Sequence, residues 1–138
     1  MILDKLAMFA DAQEPSTTAN SDYYIDTLAK ADAYSDAWFV VRVDTLAASA
    51  NAAMTLTFEL LTADNTGFTT NGATLITSGA LAIAALAAGK FPIKCRIPPG
   101  VRRYLTAKIT VAGGVPTTGK YDMFIVKDPE INNQLIYP

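Results

Sequence analysis

The chain offers few side chains able to do chemistry, and what is missing narrows the possibilities. Histidine is absent and Cys95 is the single cysteine. That removes the commonest general base, the usual imidazole metal ligand and any internal disulfide. Cys95 falls on the apolar side of the alternating run "KFPIKCRIP" (90–98), the setting of a packed and inert thiol. Asp64 and Asn65 in "TADNTGF" supply two oxygen-bearing side chains. A calcium loop needs several at alternate spacing, so an Asx-type turn is expected. "GGVPTTGK" (113–120) ends in Gly-Lys but lacks the glycine spacing of a phosphate loop, and no helix follows it.

The remaining candidates are carboxylates, aromatics and two arginines. Asp44, Glu59 and Asp122 lie on separate predicted strands, whereas glycoside hydrolysis needs a facing pair. Trp38, Tyr23 and Tyr24 are the rings that would stack on a sugar. Trp38, however, heads the most apolar run and belongs in a core or an interface. Arg102 and Arg103 stand beside the tight corner "IPPG" (97–100). They either pair with carboxylates on a neighbouring molecule or sit solvated at a strand start. No catalytic residue, cofactor or metal ligand is expected, and the chain does not read as an enzyme.

The elements that position these residues have a period of two. In "AMTLTFELLT" (53–62), Met54, Leu56, Phe58 and Leu60 alternate with polar residues. Leu105, Ala107, Ile109 and Val111 do the same after the corner. Both read as strands with one buried face. Pro92 has no amide hydrogen for a ladder, so the strand in "KFPIKCRIP" is expected at a sheet edge or to start late. "AWFVVRVD" (37–44) and "YDMFIVKD" (121–128) are apolar on both faces and read as central strands. Shorter strands are expected at "YYID" (23–26) and "ATLIT" (73–77), and a long hairpin loop at 112–120. The alanine-rich 79–90 suits either a two-turn helix or a short strand and loop; strand neighbours on both sides favour the latter. The whole is an all-β fold, an antiparallel β-sandwich of about eight strands, either jelly-roll or immunoglobulin-like. Residues 1–138 form one domain, with 1–22 as N-terminal arm and linker and 129–138 as C-terminal tail.

With 11 basic and 13 acidic residues and a net charge of −2, no basic stripe is available for nucleic acid. Asp4, Lys5 and Asp11 interrupt the apolar N-terminus, so neither a signal peptide nor a membrane span is expected, and the protein is made in the cytosol. Only 17% of residues are charged and mean hydropathy is +0.23. A surface so weakly charged is either covered in part by a partner or carried by a compact β domain with small side chains.

Several segments, in order, resemble one family. "MILD" and "FADAQ" open the chain, "ELLTADNTGF" leads into "TLITSGALAIAALAAG", "IPPGVRRYL" begins a strand, and "VAGGVPTTGKYDMFIV" closes the domain. A Pro-x-Gly-x-x-Arg-Tyr-Leu pattern is carried by Pro98, Gly100, Arg103, Tyr104 and Leu105, with Thr118, Gly119 and Lys120 at the last turn. The chain resembles, over most of 1–127, the capsid cement (decoration) proteins of bacteriophages, of the type found in short-tailed Bordetella phages. The resemblance implies a jelly-roll-like virion protein on the outer surface of an icosahedral head, assembled in the host cytoplasm. Its partners would be the major capsid protein and itself, as a homodimer with a trimer as the alternative. No catalysis, cofactor, nucleic acid or membrane is implied. Expected contact residues are Ile2, Leu3, Leu6, Phe9, Arg102, Arg103, Leu135, Ile136 and Tyr137. The competing reading is a carbohydrate- or receptor-binding β-sandwich.

Overall fold

A computed structural model describes residues 5–15, 17–28 and 34–127. Nine strands follow in order: β1 (Met8–Gln13), β2 (Ala19–Asp26), β3 (Trp38–Ser49), β4 (Thr55–Ala63), β5 (Ala73–Thr77), β6 (Leu81–Ala82), β7 (Ile93–Arg96), β8 (Tyr104–Ala112) and β9 (Pro116–Val126). They make two antiparallel sheets. Sheet I has the order β1-β9-β3-β7; sheet II has the order β2-β8-β4-β5, with β6 also on β4. The chain crosses between the sheets at nearly every connection, which is the wrapping of a jelly roll.

The period-two alternation decides which side chains meet between the layers. Leu56, Phe58 and Leu60 from β4 and Leu105, Ala107 and Ile109 from β8 face Phe39, Val41 and Val43 from β3 and Tyr121, Met123 and Ile125 from β9. Phe9 and Phe39 meet edge to face at 5.9 Å, and Phe58 tilts against Tyr121 at 5.0 Å. Each such side chain contributes about 1.5–3 kcal/mol by leaving water. As expected, β3 and β9 are central in sheet I, and β7 is its edge, starting directly after Pro92.

Two expectations are corrected and a third is met. The expected arm and linker over 1–22 contains all of β1 and the first half of β2. Pro15 prevents pairing only locally, at the crossover from sheet I to sheet II, so a strand forms on each side of it. The expected loop at 112–120 is shorter, because β9 begins at Pro116 and pairs with the far end of β3 through Ser49↔Pro116 and Ala48↔Thr118. As expected, the 79–90 stretch is a short strand and loop and not a two-turn helix: two strand residues are followed by a 3-10 turn at Ile83–Ala85. There Gly89 donates to the Val43 carbonyl at 2.8 Å, and Leu86 is fully buried, so tertiary packing replaces the helical propensity.

Among the described residues Tyr121 is the largest fully buried side chain, and its hydroxyl has no hydrogen-bond partner there. Gly119, at φ +135°, leaves it room, since a Cβ there would lie 3.1 Å from that oxygen. Burial pushes the phenol up to about 12. Tyr121→Phe is therefore expected to be as stable as the parent at pH 8, or more stable by about 1 kcal/mol, because an unsatisfied polar atom leaves the core. The raised pKa fixes the sign of the pH effect. The parent keeps its full stability below pH 10 and loses part of it as pH rises from about 10 to 12, where the unfolded phenol ionises and the folded one does not. The phenylalanine variant lacks that contribution, which urea melts at pH 8 and pH 11 would reveal. A variant weakened at pH 8 by more than about 1 kcal/mol would mean that the hydroxyl is satisfied.

Candidate functional site

The corner at 97–104 is held by threonines from two other strands. Gly100, at φ +102°, turns the chain where other residues would be strained. The Thr62 hydroxyl accepts from the Arg102 amide at 2.8 Å and donates to the Tyr104 carbonyl at 3.0 Å. The Thr27 hydroxyl donates to the Arg103 carbonyl at 2.9 Å, and the Thr27 amide reaches the same oxygen at 2.7 Å. Both threonines are buried, so the backbone that presents the two arginines is fixed while the guanidinium groups stay exposed.

Each arginine has an intramolecular partner. Arg103 forks onto Asp26 through two bonds of 3.1 Å and lies 5.1 Å from the centre of the Tyr104 ring, against which Tyr24 packs edge-on at 5.7 Å. Arg102 reaches Asp64 at 3.1 Å. The hydrogen bond from Arg103, then the Leu28 amide, hold the Asp26 carboxyl below its usual range. For Asp64 the Asn71 amide is the leading cause and Arg102 follows. These pairs are exposed and screened, so they orient the corner more than they stabilise the domain. Neighbour-facing and solvated arginines are the two alternatives expected; the structure adds a third, in which Arg103 forks onto Asp26 and Arg102 makes a single bond to Asp64.

Phe9 is corrected as a contact residue. It is fully buried, because the β1 register slips between Met8 and Ala10 and turns Phe9 and Ala10 both into the core. Leu6 is 87% exposed. Ile2, Leu3, Leu135, Ile136 and Tyr137 lie outside the described residues. Cys95 packs half-buried against the core, and burial pushes its thiol up, away from the reactive thiolate.

Other chemistry-bearing residues do not converge. Glu59 faces outward from sheet II opposite Lys108. Asp122 lies on sheet I, directly opposite Arg42. Trp38 is on sheet I, Tyr24 packs on Tyr104 of sheet II, and Tyr23 stands at the seam, so no one groove gathers the three rings. Asn65 accepts from the Thr69 and Thr70 amides at 3.0 and 2.9 Å, four and five residues on, so it closes a wider loop than the Asx-type turn expected there. Among the described residues no group of three acidic or cysteine side chains is placed to hold a metal ion.

One polar cluster was missed at the sequence level. Asp122 is 2% exposed. It accepts from Arg42 Nε at 2.9 Å, from Arg42 Nη2, and from the Ala12 amide at 2.8 Å. Ala12 has φ +53°, so the carboxylate clamps a bulge of β1 onto sheet I. The signal was available, since Arg42 and Asp122 are opposite charges set within the two most apolar runs.

The Bbp16 family model matches residues 9–125. The chain belongs to the Bbp16 family. The matched span opens in β1 and closes in β9, so in this Bbp16 family member it takes in both sheets and the arginine corner. The family name points to a Bordetella phage protein, in line with the resemblance carried by the corner and closing motifs. No curated protein matches the chain.

Proposed function

We propose that this Bbp16 family member is a structural virion protein. It binds the outside of an icosahedral phage head and stabilises it by bridging neighbouring major capsid protein subunits. The observation that carries this reading is the family match across the whole jelly roll, joined to the likeness to phage cement proteins. A weakly charged chain and exposed large apolar side chains such as Leu6, Tyr23 and Val115 support it, as such surfaces suit coverage by protein. The role is mechanical, not enzymatic.

The physical mechanism is linkage. A protein that binds the assembled shell and not the free subunits stabilises the shell by mass action. If two copies act as a dimer, the second contact becomes intramolecular, and avidity rises by about 10²–10⁴ over one site. The test is to mix the purified protein with expanded heads stripped of accessory proteins and measure bound copies per shell, alongside the size of the free protein. Saturable stoichiometric binding is expected; absence of binding would sink the proposal. In the same assay, Arg102→Ala with Arg103→Ala should weaken binding several-fold while leaving the melting temperature nearly unchanged, as expected of exposed ion pairs. Undiminished occupancy would remove the corner from the contact surface.

A further inference from the structure

The two sheets leave one seam open to solvent where their edge strands come together. β1 ends sheet I and pairs only with β9; β2 ends sheet II and pairs only with β8. Between them lies a groove of about 420 Å³ lined by Leu6, Met8, Asp11, Asp22 and Tyr23. Leu6 is 87% and Tyr23 58% exposed. Single exposed apolar residues are ordinary; here two large ones share a groove with half-buried Met8. A polar hollow of about 390 Å³ continues from the same two aspartates and adds Gln13 and Glu14.

The chemistry of this seam is one-sided. No lysine or arginine lines either hollow. The Asp11 and Asp22 carboxylates have no hydrogen bond or ion pair among the described residues, although four other carboxylates, Asp26, Asp64, Asp122 and Glu14, are all paired with a lysine or arginine. The Gln13 Oε1 is a buried acceptor without a donor among the described residues. An occupant must therefore bring apolar surface for Leu6, Met8 and Tyr23 and donors with positive charge for the aspartates.

We infer that this groove seats a segment of the shell subunit carrying an apolar side chain next to a lysine or arginine. The inference rests on the reading of the protein as a shell binder, and it names the part of the surface that does the binding. A second copy docked seam to seam is disfavoured by charge. A two-fold contact would set Asp11 and Asp22 against the same residues of its mate, and like charges so placed repel.

The experiment compares the full chain with Asp11→Lys/Asp22→Lys and with the neutral, near-isosteric Asp11→Asn/Asp22→Asn on stripped expanded heads. Thermal melts and the size of each free protein are measured in parallel. The lysine pair should bind at least about tenfold more weakly with an unchanged melting temperature. The asparagine pair should fall between, with a shallower loss of binding as salt is raised, because its rim no longer attracts cations. Tyr23→Ser should weaken binding at every salt concentration. If the lysines unfold the protein, the asparagine pair carries the comparison. Parental affinity in both charge variants would overturn the groove and leave the shell-binding role standing. Parental protein that ignores the heads would remove the role itself, and the groove's occupant with it. A change in the size of the free variants, with head binding intact, would make the occupant a second copy and overturn the inference.

Discussion

Asp122→Ala is expected to destabilise the fold by about 2–4 kcal/mol. The carboxylate is buried between β1 and β3 and serves two donors, the Arg42 guanidinium and the Ala12 amide. Removing it leaves a part-buried amide without its acceptor and an arginine without its partner. Arg42 remains 42% exposed and can turn to water, so the loss stays below that of a fully enclosed pair. Because Ala12 is the bulge that fixes β1 to sheet I, faster hydrogen exchange should appear first at β1 amides. Asp122→Asn keeps an acceptor for Ala12 and should lose less. A loss under about 0.5 kcal/mol in urea melts would mean that Arg42–Asp122 behaves as an ordinary surface pair.

Phe9→Ala should cost more, about 3–5 kcal/mol, since it empties a ring's volume at the edge of the core. For a domain of this size the melting temperature should fall by on the order of 10–20 °C. The edge-to-face contact with Phe39 at 5.9 Å is lost as well, and β1 has no neighbour beyond it to compensate. This outcome separates folding from function. Below its lowered melting point the variant should bind heads as the parent does, because a side chain with no exposed surface touches no partner. Weakened head binding with an unchanged melting temperature would restore Phe9 to the contact surface.

The two variants also mark where the sequence is legible. "AMTLTFELLT" and "YLTAKITV" announce strands because each buried face is written locally, every second residue. The central place of β3 and β9 was visible for the same reason, in runs apolar on both faces, and Pro92 marked the edge. β1 was not legible. "MFADAQ" alternates poorly, because a register slip turns Phe9 and Ala10 both inward and sets Ala12 at positive φ. Such a bulge makes sense only against the strand it pairs with. Phe9 was accordingly taken for an arm residue when it is part of the core.

The arginine corner shows the same limit. "IPPGVRRYL" fixed a turn followed by a strand, since proline and glycine restrict the backbone within a few residues. The partners of its arginines are 38 and 77 residues away, and only strand order brings them near. The seam between β1 and β2 is likewise invisible in sequence, as its aspartates and apolar residues gather only where two sheets end side by side.

The sequence by itself determined the alternation, the turns and hence a two-layer β fold, because steric limits and the burial of one face act between near neighbours. The tertiary structure alone decided which edges stay open, which charges are neutralised at home and which face outward unpaired. Those outcomes depend on chain segments that are distant in sequence and meet only through the crossing order of the jelly roll.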